Sequence, residues 1–256
     1  MRKYAGLAFL ALSVFAQTQD DWRPWMDRGV QAYKSGRYRE AADAFQNAVY
    51  RNPSDPNAHL YLASACMAAW RPGAASPDNT AWADKAEREF GTVLALDSEN
   101  ESALASLGSL TLQQKRFEDA AAWYQRLLHR NSQVSPTSRA ATRDAHYALG
   151  MIGWTRWYPD YAAARKRLGM RPQDPGPLPD PRLRRELRDK WSPAIQEAMD
   201  HLRSAWYLGN ADALGYLSRL IREKADLRDT ETEYRRDLRE ADDWARQANE
   251  AAKPPQ

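Results

Sequence analysis

The chain has 256 residues, with 37 Lys and Arg against 34 Asp and Glu and a formal charge of +3. That balance excludes the strongly basic signature of a nucleic-acid-binding chain. One cysteine, Cys66, excludes an intramolecular disulfide framework, and the histidines His59, His129, His146 and His201 are scattered, unlike the clustered nitrogen and sulfur ligands a zinc site needs.

From the N-terminus, Arg2-Lys3 precedes an apolar run from Ala5 to Val14, then Phe15-Ala16 and the polar Gln17-Thr18-Gln19-Asp20. This pattern predicts a secretory signal peptide over residues 1–16 with cleavage after Ala16. The run is too short to span a bilayer, which takes about 20 apolar residues. Loss of Arg2 and Lys3 would leave a mature chain near +1. No cysteine stands at the cleavage point, so the expectation is a soluble exported protein, periplasmic or secreted, of the bacterial envelope. Cys66 shares a helical face with Leu62 and Ala63 and is expected to pack as a small apolar residue.

Downstream, four quartets repeat one spacing: Ala41, Phe45, Ala48, Pro53; Ala86, Phe90, Val93, Ser98; Ala120, Tyr124, Leu127, Ser132; and Ala198, Leu202, Ala205, Asn210. Steps of four and three place the first three residues on one helical face, and the fourth breaks the helix. Twelve residues before Ala41 and Ala120 stand Gly29 and Gly108, each leading into a short turn, Gly36-Arg37-Tyr38 or Lys115-Arg116-Phe117. Each unit is therefore a helix hairpin.

The first unit, 22–55, has a period of 34 residues and carries Trp25, Gly29, Tyr33, Ala41, Phe45 and Pro53; the third, 101–134, carries Leu107-Gly108, Ala120, Tyr124 and Leu127. This resembles the tetratricopeptide repeat family. The resemblance implies an all-α fold, a right-handed α-solenoid of helix hairpins, and a non-catalytic role in binding proteins.

On that register the repeats run over 22–55, 56–100, 101–134 and 143–212 of a single domain, 17–251. Two are interrupted: Ala63 to Ala86 exceeds the period by 11 residues and Gly150 to Ala198 by 36. The first surplus is assigned to a loop from Trp70 to Asn79. The second, about 158–190, contains Pro172, Pro175, Pro177, Pro179 and Pro181, which predict an extended Pro-rich insertion. Leu214, Leu217, Leu220 and Ile221, then Tyr234, Leu238, Ala241, Ala245 and Ala248, mark a degenerate C-terminal cap over 213–251, with a frayed tail at 252–256.

In tetratricopeptide arrays the inner face of the leading helices lines a concave groove. Here the positions are Met26, Val30, Tyr33; Leu60, Ser64, Met67; Ala105, Ser109, Leu112; and Tyr147, Met151, Trp154. The groove would be apolar and would lack the lysine and asparagine that family members use to clamp a peptide's terminal carboxylates. It would either receive a partner peptide or helix, or be covered by the protein's own C-terminal helices and insertion.

Between Arg156 and Lys190 ten basic residues face five acidic ones. Arg165, Lys166, Arg167, Arg182, Arg184 and Arg185 form a candidate basic patch for an acidic partner or an anionic envelope component. The bland reading is that these cations pair internally. An alternative function is a cell-wall or glycan-binding accessory factor stacking sugars on Trp70, Trp82, Trp154 and Trp157. No acid, base and nucleophile group, phosphate loop or cofactor motif is present in the sequence.

Overall fold

A computed structural model describes residues 21–129, 136–171 and 173–251, in which every regular element is a helix. The expected signal at 1–16, the breaker Ser132, Pro172 and the tail 252–256 lie outside the described residues. The chain gathers into two compact units that divide between Gln114 and Lys115.

The first unit contains α1 (Arg23–Lys34), α2 (Tyr38–Arg51), α3 (Pro56–Ala69), α4 (Pro77–Leu96) and α5 (Glu101–Gln113), each packed on the next, with α3 also touching α5. The helices start where the sequence supplies caps. Asp55, Ser76 and Asn100 accept hydrogen bonds from the backbone N–H groups of Asn57, Asn79 and Ala103, and Pro56 and Pro77 fill first-turn positions where no amide partner is lost. The quartet residues Ala41, Phe45, Ala48, Ala86, Phe90 and Val93 are fully buried. Cys66 is buried among them, and burial pushes its thiol up to about 11. The surplus of the second repeat is not all loop. α4 begins at Pro77 and runs 20 residues, so only 70–76 remain irregular and the rest lengthens the helix.

The second unit contains α6 (Phe117–His129), α7 (Pro136–Arg167), α8 (Pro181–Tyr207), α9 (Ala213–Ala225) and α10 (Glu231–Ala251). α7 packs on α6, α8 and α9, and α9 packs on α8 and α10. Its turn into α6 places Lys115 at φ 61, the same left-handed conformation as Gly36 (φ 72) at the matching turn of the first repeat; a lysine there forgoes the conformational freedom that makes glycine the usual residue.

The Pro-rich expectation for 158–190 is corrected here. α7 continues through Pro159 to Arg167, and α8 opens at Pro181, leaving among the described residues only 168–171 and 173–180 outside helix. Pro181 starts a helix rather than preventing one, because Asp180 caps it by accepting from the N–H groups of Arg182 and Leu183. Proline inside a helix removes one hydrogen bond and costs about 3 kcal/mol. At Pro159 that cost is offset by the packing of its neighbours, since Trp157, Tyr161 and Ala164 are buried in a core with Leu178, Leu183, Leu187, Ile195 and Leu220. Burial of large apolar side chains contributes about 1.5–3 kcal/mol each. The surplus residues are thus an extension of the α7–α8 hairpin.

Candidate functional sites in the two units

In the first unit, a cleft of about 400 Å³ is lined by Val30, Tyr33 and Lys34 of α1, Phe45 of α2, and Tyr61 and Ser64 of α3. The period of the leading helices puts Val30, Tyr33 and Ser64 there, as the groove pattern anticipates. Tyr33 and Tyr61 are 39% and 45% exposed, Tyr33 meets Tyr38 edge-on, and Tyr61 stacks on Phe45 at 5.5 Å. Tyr61 and Lys34 are additions that the groove pattern missed; each sits one position beyond a groove residue and lies on the rim. Met26 instead is buried in the core, and Leu60, Met67 and Leu112 are half-buried outside this cleft.

In the second unit, the groove positions of α7 are met by α9. Tyr147 and Trp154 both lie edge-on to Tyr216, at 6.0 and 5.7 Å between ring centroids, and Met151 is half-buried. Below them lie two carboxylates. Glu223 accepts the indole N–H of Trp154 at Oε1 (3.2 Å) and that of Trp157 at Oε2 (2.8 Å). Asp226 accepts the Tyr161 hydroxyl (2.7 Å) and the Arg165 guanidinium (2.6 Å) at Oδ2, while its backbone carbonyl accepts Leu178 N–H. Burial pushes Glu223 up to about 7 despite the two indole donors. Burial likewise outweighs the Tyr161 and Arg165 contacts at Asp226, whose carboxyl lies above the usual range.

This arrangement corrects the basic patch at Arg165 and Arg184. Arg165 is buried, with its side chain 6% exposed; besides Asp226 it binds the carbonyls of Arg171 and Asp174. Arg184 is largely covered and donates to the Leu178 carbonyl, and Arg188 pairs with Asp229. Lys190 and the Trp191 indole both hold Asp160. Arg165, Arg184, Arg188 and Lys190 are thus held by acidic partners, several of them more than 30 residues away, while Lys166, Arg167, Arg182 and Arg185 remain on the surface. Trp157 is fully buried and Trp154 is committed to Glu223, so Trp157 offers no stacking face to a sugar.

A second cleft, of about 760 Å³, opens beside these carboxylates, lined by Trp154, Tyr158, Tyr161, Ala162, Arg165, Lys166, Gly169, Met170, Arg219, Arg222 and Glu223. Trp154, Tyr158 and Tyr161 form a continuous aromatic strip on α7, with centroid spacings of 4.9 and 6.3 Å. Their spacing of four and three residues was a readable signal for it. Arg219 lies over Trp154 at 5.2 Å and over Tyr216 at 5.8 Å; nothing in the sequence pairs it with α7.

The histidines are not all apart. His146 of α7 and His201 of α8 face each other, with Nδ1 atoms 2.8 Å apart, one ring donating to the other. Burial and the neighbouring ring lower His146 to about 4, and burial lowers His201. Among the described residues no three His, Cys, Asp or Glu side chains are grouped as metal ligands would be, and no helix is long and apolar enough to cross a membrane.

The hairpins, their buried quartets and their inner-face clefts define a class, and comparison agrees: the tetratricopeptide repeat family matches residues 26–75 and 83–136. These two stretches carry tetratricopeptide repeats. Among solved structures it is similar to YrrB, described as a tetratricopeptide protein with an unusual peptide-binding site (14% identity, 94% of this chain and 96% of that one, TM-score 0.54). It is also similar to MamA (15%, 90% and 91%, 0.53) and to MamA 41-end from Desulfovibrio magneticus RS-1 (13%, 90% and 94%, 0.53). At these identities the likeness concerns the fold. Comparison with curated protein sequences returns no match.

Proposed function

We propose that this protein is a non-catalytic interaction scaffold that binds a peptide or helix of a protein partner against the inner face of α1 and α3. The observation that carries this reading is the first-unit cleft, where Tyr33 and Tyr61 present exposed rings beside Val30, Phe45 and Ser64. Such rings provide large contact area and lose little conformational freedom on binding, and between α1 and α3 stands α2, whose Ala41, Phe45 and Ala48 are fully buried. YrrB, a chain of this fold, is described as carrying a peptide-binding site. The perturbed groups Glu223, Asp226 and Tyr161 are hydrogen-bonded to one another's neighbours as buried structural pairs, which favours binding over catalysis. The setting we propose is the bacterial envelope, reached by export with cleavage after Ala16; the intact mass of the protein recovered from its host would then begin at Gln17.

Photocrosslinking tests the binding face. A benzophenone amino acid at position 33 or 61 should yield discrete adducts, while the same group at Tyr50, which is 83% exposed and outside the cleft, should not. Equal adducts from position 50, or none from 33 and 61, would contradict the assignment.

A further inference from the structure

The second-unit cleft differs in chemistry from the first. Its floor is the aromatic strip of Trp154, Tyr158 and Tyr161, and its polar lining is almost wholly cationic: Arg165, Lys166, Arg219 and Arg222. Their engagements differ. Arg222 is paired with Asp242 at 2.5 Å. Arg165 is anchored on Asp226, yet its Nε is buried without a hydrogen-bond partner. Lys166 and Arg219 are exposed, and among the described residues neither has a carboxylate within ion-pair distance. Arg219 is held over two rings instead, which fixes a guanidinium at the cleft wall ready to meet a planar anion.

Hydrogen-bonding capacity narrows the occupant. Among the described residues the one carboxylate in the lining, Glu223, already accepts an indole N–H at each oxygen. No Asp, Asn, Gln, Ser or Thr among the described residues lines the cleft. A neutral sugar, whose hydroxyls need acceptors as well as donors, would find few acceptors here beyond the Tyr158 hydroxyl and the remaining lone pairs of Glu223, so the lining favours an anion over it. An anion needs donors only, and the lining supplies donors. The aromatic strip with Ala162 and Met170 offers the complementary surface to a bulky apolar group beside that anion. A nucleic-acid strand would ask for a basic track continuing outward, whereas Arg222 and Arg171 nearby are already held by Asp242 and Asp174.

We propose that the cleft between α7 and α9 binds a peptide segment in which Asp or Glu stands beside an aromatic or large aliphatic residue, with Arg219 and Lys166 meeting the carboxylates. This rests on the reading of the chain as a peptide-binding scaffold but assigns a second site with its own specificity. Its selectivity comes from like-sign exclusion as much as attraction, since a basic segment would face unpaired cations.

The test is selection of a random-sequence peptide library against the full chain, followed by fluorescence titration of synthetic winners with wild type, the Arg219→Gln/Lys166→Gln double variant and Tyr33→Ala. Both cations are exposed, so the double variant retains the fold, which circular dichroism verifies. The expected result is a group of acidic-aromatic winners whose Kd rises roughly tenfold or more in the double variant, is unchanged in Tyr33→Ala, and weakens with added salt. Winners that are neutral or basic, or that bind the double variant as tightly as wild type, would overturn the proposal. So would a 15-mer oligothymidylate or a polygalacturonate oligomer that binds more tightly than the best peptide. Winners lost only in Tyr33→Ala would leave the first-unit reading standing while overturning this one.

Discussion

At the residue scale, function rests on side chains whose surroundings are set by close approach. In the α7–α8 hairpin, a Cβ at Gly153 would lie 2.6 Å from that of Ala198, and one at Gly150 would lie 2.5 Å from Leu202 Cγ and 3.2 Å from the Ala198 carbonyl oxygen. Backbone and a fully packed neighbour cannot give way cheaply, so Gly153→Ala should destabilise the chain by about 1–3 kcal/mol in urea unfolding. Glu223 makes a prediction whose sign is fixed. Its carboxyl sits at about 7 in the folded chain against 4.5 for the free group, so between those values the native state holds a proton the unfolded chain has released. Its contribution is fully present below about 4.5 and is lost as pH rises through about 7. The stability difference between wild type and Glu223→Gln should therefore fall by about 3 kcal/mol from pH 4.5 to pH 8 and be flat above that. His146 acts oppositely: lowered to about 4, it favours the folded state above 6.5 and withdraws that stability as pH falls toward 4. Only the wild-type-minus-variant difference isolates the carboxyl, because the two groups titrate over overlapping windows.

At the scale of elements, the repeat helices were legible because the quartets follow the helical period, and that period carries their burial with it. Ala41, Phe45 and Ala48, and likewise Ala198, Leu202 and Ala205, lie in the core as their spacing requires. The course of 158–190 was not legible. The cluster of prolines from Pro172 to Pro181 argues against helix, yet the one that matters at the start of α8, Pro181, comes after a capping Asp180, and Pro159 is tolerated because the residues beyond it are buried. Arg165 was misplaced for a related reason. A run of Arg165-Lys166-Arg167 looks like a solvated patch until its partner is known, and that partner, Asp226, stands 61 residues later. Breaking a buried pair strands a charge, so Arg165→Met should cost about 3–5 kcal/mol by thermal or urea unfolding. Adding Asp226→Leu to it should restore much of the loss. If the double variant were less stable than Arg165→Met by the full cost of a second lesion, the two side chains would be acting independently.

At the scale of the whole molecule, the chain is a repeat protein whose two compact units carry clefts of different character. The first unit presents tyrosines and apolar side chains; the second presents an aromatic strip under cations. The difference traces to the extended fourth hairpin. Tyr158, Tyr161, Arg165, Lys166, Gly169 and Met170 all lie in residues that exceed the plain 34-residue period, and all line the second cleft. The central claim is therefore that this surplus is folded helix locked onto α9, not a loose insertion. Native-state hydrogen exchange at single-residue resolution measures this most directly. Amides at 160–167 and 183–190 should be protected nearly as strongly as those at 196–205 in the C-terminal half of α8, and Arg165→Met should lower their protection first. Exchange at 160–167 and 183–190 as fast as in an unstructured peptide, with 196–205 still protected, would contradict it.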